Sequence, residues 1–258
     1  MNSQNPKISV IMAVYNGANH VRGAVKSILE QTERDFEFII INDGSRDETS
    51  AILDAMARED ARLRIIHQEN TGLTVALNRA LALASGTYIA RQDGDDISYP
   101  ARFEKQCALL DQNPETVLVG ANADDVYEDG SSGVWGFYTP EELQKITFLK
   151  TPFPHSTAMI RAETLRALGG YDESYKTAQD MELWMRMAKA GGLTMVEEPL
   201  IRRSIVSNSI SVKRRWRQFY DALRARMKHN PWPRKPFALY HSIRSLLIGL
   251  ILHHIVKR

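Results

Sequence analysis

Gly86-Thr87-Tyr88-Ile89-Ala90-Arg91-Gln92-Asp93-Gly94-Asp95-Asp96 begins as a β-strand and ends in three carboxylates within four positions. In an extended segment Asp93 and Asp95 lie two residues apart and point the same way. Two like charges side by side repel, and a divalent cation is the usual compensation. Hard cations take oxygen ligands and are often held by one or two carboxylates together with substrate phosphates. A solvated Asp-Gly turn, common at strand ends, has the same sequence. On this stretch alone both readings stand.

Working outward, strands and helices alternate. Lys7–Val14 is a nearly continuous apolar run, as expected of a strand buried on both faces. Asn19 is a candidate cap for a helix reaching Gln31, with Val21, Ala24, Val25, Ile28 and Leu29 at helical spacing. A second buried strand, Phe36–Asn42, ends in Asp43-Gly44-Ser45, and Ser45 to Glu48 has the spacing of a capping box for the next helix. A short strand over 63–67 and a helix over 73–84, closed by Gly86, lead back to the opening stretch. This alternation predicts an α/β fold with a doubly wound, mainly parallel sheet flanked by helices. Ligands of such sheets bind beyond the carboxyl ends of the strands. Those ends here carry Tyr15-Asn16, Asp43-Gly44-Ser45 and Asp93-Gly94-Asp95-Asp96. Three polar termini therefore converge on one crevice.

Further on, the pattern gives a helix over 100–110, a strand over 117–120 and turn chemistry at 128–133. Helices follow over 141–149 and 162–168, and another opens at Gln179-Asp180 with Leu183, Trp184, Met187 and Ala188 on one face. A chain of 258 residues supports one sizeable domain, assigned to residues 1–205, with an appendage at 206–258. Cys107 is the single cysteine, so no internal disulfide forms and a reducing, cytoplasmic setting is expected. No apolar leader precedes the first strand, and no run is apolar enough for a simple membrane span.

Charge divides the chain in two. Residues 200–258 hold 14 Lys or Arg against one acid, Asp221, leaving about −11 on the rest. Trp216, Phe219, Tyr220, Leu223 and Met227 form an apolar stripe in this basic helical extension. Residues 213–258 are thereby a candidate for an anionic membrane surface, on the inner face of the plasma membrane. Packing of the stripe on the catalytic body or on a second copy, as a homo-oligomer, is the competing reading. Nucleic acid is not expected, because no recognised module accompanies the charge.

The ordered set of motifs resembles the family 2 glycosyltransferases, inverting nucleotide-sugar enzymes of the GT-A fold. It comprises Val10 to Gly17, Ile41 to Ser45, Asn70-Thr71-Gly72 with Asn78, Gly86 to Asp96, Pro100-Ala101-Arg102, and Gln179-Asp180 with Leu183-Trp184. The resemblance implies a nucleotide-sugar donor, with a UDP-sugar favoured, and a glycan or lipid-linked acceptor in cell-surface polysaccharide synthesis. It implies donor contacts from Ala13, Tyr15, Asp43, Asn78, Asp93 and Asp95. Within that set Asp43 accepts the base N–H, Asp93 faces the sugar or ribose, and Asp95 holds Mn²⁺ or Mg²⁺. Asp180 is implied as the catalytic base, and Asp96 is expected to hold the loop. His155, Gln179, Trp184, Arg202 and Arg203 are candidates for acceptor or diphosphate contacts.

Each assignment has a plain alternative: Asp43 as a helix cap, Tyr15 and Trp184 as core aromatics, Asp180 as a helix-terminal acid. The chain also departs from the family pattern, with Gln179 where Glu is usual and Val206 where many relatives carry His. A non-catalytic sugar-nucleotide-binding protein of the same fold, or a basic membrane-surface adaptor, is the alternative function.

Overall fold

A computed structural model describes residues 5–127, 130–205 and 215–230, with Pro236 and Tyr240. Val206 and the rest of 206–214, and the segment beyond 230 apart from those two residues, lie outside the described residues. The expected departure at Val206 and most of the membrane reading fall there.

The first half is built as the apolar periodicity requires. β1 (Ile8–Val14), β2 (Phe36–Asp43), β3 (Leu63–Gln68) and β4 (Tyr88–Arg91) pair in parallel in the order β3-β2-β1-β4. Helices α1 (Val21–Leu29), α2 (Thr49–Glu59) and α3 (Leu73–Leu83) provide the crossovers. Every residue of β4 is buried, and β1 is buried except at Ala13, which is half-buried. Ile11, Ile39 and Ile89 face one apolar cluster with α3, while Val10, Phe38 and Ala90 face the other with α1 and α2. Two-sided burial of a period-2 chain explains the continuous apolar runs.

The second half is mixed. After β5 (Ile97–Ser98) and α4 (Arg102–Gln112), β6 (Thr116–Tyr127) turns back into β7 (Ser132–Val134), and α5 (Pro140–Ile146) follows. A 3-10 turn (His155–Thr157), β8 (Met159–Arg161), α6 (Ala162–Ala167), α7 (Gln179–Ala190) and β9 (Gly192–Ile205) complete the body. β8 lies antiparallel between β4 and β6, and β9 runs parallel to β6 and antiparallel to β5.

Several local expectations are corrected. Asn19 does not cap α1, whose first turn closes through the Gly17 carbonyl instead. The Ser45–Glu48 capping box does not form, because Ser45 Oγ accepts from the Asn16 N–H and Asp47 Oδ1 takes the Thr49 N–H. A capping box does form at Thr139 and Glu142. Gly86 is not the end of α3, which caps at Ala84; a Cβ there would come within 2.4 Å of the Ser9 backbone nitrogen, so β4 needs a glycine to approach β1.

The basic extension is partly a piece of the body. Helix α8 (Arg215–His229) packs against α7, and Ala225 joins Tyr175, Ala178, Met181 and Met185 in a separate apolar cluster. The buried face differs from the expected stripe. Trp216, Tyr220 and Met227 are exposed, whereas Asp221, Ala225, Arg226 and His229 are buried. Among the described residues no helix is long and apolar enough to cross a membrane.

Candidate active site

β1, β2 and β4 end side by side, and the loops beyond them are tied together. Asn16, in the left-handed region at φ 52°, donates its N–H to Ser45 Oγ (2.9 Å) and accepts from the Arg46 N–H (2.8 Å). Asn tolerates that conformation better than other side-chain-bearing residues. Beyond this turn Tyr15 is 49% exposed, so it is not a core aromatic.

Asp43 is nearly inaccessible, and its carboxylate organises the neighbouring loop. Oδ1 accepts from Gln68 Nε2 (2.7 Å), Thr71 N (2.9 Å) and Thr71 Oγ1 (3.2 Å), and Oδ2 accepts from Gly72 N (2.9 Å). It does not cap α2. One acceptor position on Oδ2 is left beyond the Gly72 bond. The Asn78 amide donates to the Tyr171 carbonyl and Glu173 (2.9 Å each) and accepts from Tyr171 N, which joins α3 to the loop before α7.

At the end of β4 the three carboxylates differ in environment. Asp93 is half-buried and accepts from Arg91 Nη2 at 2.5 Å. Burial opposes its charge, but Arg91, together with Arg203, holds its carboxyl below the usual range. Asp95 stands exposed at the loop tip; limited hydration in the crevice and the neighbouring Asp93 charge raise its pKa. Asp96 is buried and takes the Ser156 hydroxyl, which ties the loop down as expected. Burial, then Asp93 and Asp95, push it up to about 8. Arg91 lies wholly inside, with Nε and Nη1 unpartnered among the described residues.

The next candidate sits at the start of α7. Ala178, the residue before the helix, holds φ 53°, a left-handed conformation that costs about 1 kcal/mol for a residue with a Cβ. Two residues later Asp180 is half-buried; burial raises its pKa, Asp93 adds to the rise and Arg91 opposes it. Asp93, Arg91 and Asp180 thus act on one another across the crevice. A carboxylate kept poorly solvated and near a second carboxylate has raised proton affinity and is suited to taking a proton.

The remaining candidates separate. Trp184 is fully buried against Phe153 (centroids 5.6 Å) and His155 (5.7 Å), so it fills core and does not floor an acceptor site. His155 pairs through Nε2 with the Tyr171 hydroxyl at 2.8 Å, and burial, then Arg91, push its pKa down to about 3. It is therefore a neutral aromatic wedge and brings no positive charge to a diphosphate. Gln179 is half-buried at the first turn of α7. Arg202 is exposed on β9, and Arg203 grips Asp125 through Nε (2.7 Å) and Nη2 (2.8 Å). Arg203 is committed to that pair, although its charge still reaches Asp93 and Asp96.

The carboxylate set suits a hard divalent cation completed by other oxygens. Among the described residues no cluster of three or more His, Cys, Asp or Glu could hold a metal unaided. Exposed Asp95 beside Asp93 fits a cation that takes one or two protein carboxylates and draws its other ligands from phosphate and water.

The sequence model of Glycosyl transferase family 2 matches residues 9–169. The chain belongs to that family. This glycosyltransferase is 38% identical over 195 residues to EpsE of Bacillus subtilis, a relative that carries a glycosyltransferase name, covering 74% of this chain and 69% of that one. It is 31% identical over 209 residues to an uncharacterised glycosyltransferase of Methanocaldococcus jannaschii, covering 78% and 71% respectively. Among solved structures, S. aureus TarS 1–349 in complex with UDP-GlcNAc is similar at TM-score 0.69 and 18% identity, over 90% of this chain and 69% of that one. The mannosyltransferase PcManGT of Pyrobaculum calidifontis, in complex with GDP-Man and Mn²⁺, is similar at TM-score 0.66 and 20% identity, over 95% and 70%. At such identities the likeness shows the fold, which is the expected GT-A type. The family match ends before α7, so the reading of Asp180 in this glycosyltransferase rests on its position at the head of α7 and on the influence of the Asp93 charge on it.

Proposed function

We propose that this glycosyltransferase moves a sugar, with inversion, from a nucleotide-sugar (a UDP-sugar favoured) to a hydroxyl of a glycan or lipid-linked acceptor in cell-surface polysaccharide synthesis. The observation that supports it is Asp180 at the head of α7, near enough to Asp93 and Arg91 for their charges to act on its carboxyl, with Tyr15 exposed beyond β1. Tyr15 stacks on the nucleoside, Ala13 lies at the half-buried end of β1 beneath it, and the free position of Asp43 Oδ2 accepts a base N–H. Uracil offers an N3–H there, whereas neutral cytosine has no ring N–H to give. The TarS structure holding UDP-GlcNAc favours the uridine donor, and the PcManGT structure holding GDP-Man keeps guanosine as the competing case.

Asp180 accepts the proton of the acceptor hydroxyl as its oxygen bonds to the anomeric carbon. The bond from that carbon to the diphosphate oxygen breaks on the opposite face, and the electron pair leaves with the nucleoside diphosphate. Asp93, fixed by Arg91, orients the sugar or ribose. Asp95 would hold Mn²⁺ or Mg²⁺, which when bound supplies positive charge to the diphosphate leaving group. The basic segment 213–258 is proposed to meet an anionic membrane surface where a lipid-linked acceptor resides.

The test is a thermal-shift panel of UDP, GDP, CDP and their sugars, with and without Mn²⁺, since binding to the native state raises apparent stability. UDP with Mn²⁺ is expected to give the largest shift, and Asp95→Ala to remove the metal-dependent part. Absence of any nucleotide shift would sink the donor site.

A further inference from the structure

A pocket of about 410 Å³ opens between the β6–β7 hairpin and the loop after α5. Tyr127, Trp135 and Tyr138 supply aromatic walls, Asp125 and Lys150 supply charge, and Pro152 closes one end. None of these residues carries a role in the reading above. We propose that this cavity is the acceptor subsite, and that its occupant is a pyranose unit of a glycan, seated with its C–H face on the aromatic rings. This rests on the glycosyltransferase reading and adds the place and chemistry of its second substrate.

Continuity with the catalytic crevice is the first argument. Asp125 holds Arg203 through two bonds, and the charge of Arg203 reaches Asp93 and Asp96. On the other side, Pro152 lies four residues before Ser156, whose hydroxyl donates to Asp96 of the donor loop. The cavity is therefore bounded on two sides by residues linked to the donor carboxylates.

The second argument is the chemistry of its walls. Two of the three rings are paired with a charge. Trp135 donates Nε1–H to Asp125 Oδ2 (3.1 Å) and lies 5.1 Å below the Arg203 guanidinium. Lys150 donates to the Tyr138 hydroxyl at 2.6 Å and sits 5.0 Å from that ring. A purely apolar occupant would strip water from Asp125, Arg203 and Lys150 and return no hydrogen bonds. A sugar presents a C–H face to the rings and hydroxyls to the charges around them. Such mixed lining, at a volume within the range of small-molecule sites, is what a carbohydrate needs. Tyr127 is 42% exposed and Val134 64% exposed, so this surface is open to solvent and accessible to a ligand.

The experiment is saturation-transfer NMR on the full chain with UDP and Mn²⁺. The probes are methyl glycosides of gluco-, galacto-, manno- and N-acetylglucosamine configuration and their disaccharides. At least one glycoside is expected to bind, with affinity about ten-fold weaker in both Trp135→Ala and Tyr127→Ala. The UDP thermal shift of each variant should stay at the wild-type value, which also shows that it folds. Glycoside binding that survives both substitutions would overturn the proposal. So would absence of binding by any glycoside while the UDP shift persists, an outcome that leaves the donor reading standing. Loss of both signals in the wild-type chain would overturn the donor reading as well. Self-association that disappears in Trp135→Ala would assign the cavity to a second copy and overturn its use for sugar.

Discussion

Asp221 of α8 accepts both the N–H (3.1 Å) and the hydroxyl (2.9 Å) of Thr177, the residue that precedes left-handed Ala178 at the head of α7. A helix from the basic extension thus holds the backbone that aims Asp180. The positive φ of Ala178 persists because its neighbour is pinned, the usual condition for a strained residue beside a functional group. Asp221→Ala leaves the buried Thr177 N–H unpaired, at about 1–3 kcal/mol. It should also lower kcat for transfer by up to about 100-fold, since a misplacement near 1 Å has that effect. The check is kcat measured well below the variant's Tm, together with the UDP dissociation constant. A role confined to stability would lower Tm and leave kcat unchanged, whereas the positioning role lowers kcat at constant UDP affinity.

Asp180→Asn should preserve UDP binding and cut transfer by about 10²- to 10⁴-fold, the range for a lost general base. The base must be deprotonated, so activity is lost as pH falls through its pKa. Burial and the Asp93 charge raise that pKa, which places the acid limb of kcat above the ordinary Asp value of about 3.9. Removing the Asp93 charge in Asp93→Asn moves the limb down, and removing the Arg91 charge in Arg91→Met moves it up. Profiles of kcat against pH for the three proteins give the order.

Much of this was legible in the chain. The β1-β2-β4 core and its polar strand ends follow from continuous apolar runs that stop at Tyr15, Asp43 and Asp93. Three things were not. β9 carries Glu197-Glu198-Pro199 in its middle, and its side chains alternate irregularly between buried and exposed, so no apolar period announces it. Ser45 and Thr139 each precede a Glu by three residues, yet only Thr139 caps, because Asn16 has claimed Ser45; that competition is tertiary. The buried face of α8 is Asp221, Ala225, Arg226 and His229, a mostly polar set bonded to groups on other elements, which hydrophobic periodicity cannot see.

Trp184 was an acceptor candidate, and its full burial between Phe153 and His155 gives a different expectation. Trp184→Phe should lower Tm while leaving kcat within about two-fold, as a change of packing volume does. A large rise in acceptor KM at unchanged Tm would return the residue to the acceptor site.

Glu182 predicts how α8 parts from α7. It is fully buried and accepts from Arg186 (2.7 and 2.9 Å) and pairs with His229 Nε2 (2.9 Å), with Lys228 at 3.4 Å. Burial opposes its charge, but the bonds from His229 and Arg186 prevail and hold its carboxyl down to about 2. A carboxylate with a depressed folded pKa adds stability above its unfolded value, near 4.3, and loses it as pH falls toward 2. The shift corresponds to about 3 kcal/mol. Tm should therefore fall steeply between pH 4.5 and about 2, in the direction opposite to that of the Asp96 carboxyl, whose pKa is raised. Glu182→Gln should already be less stable at pH 7 and show a flatter fall over that window, because it lacks the titrating group. Melting curves of both proteins from pH 7 to pH 2.5 provide the measurement; parallel curves would remove Glu182 as the tie between α7 and α8.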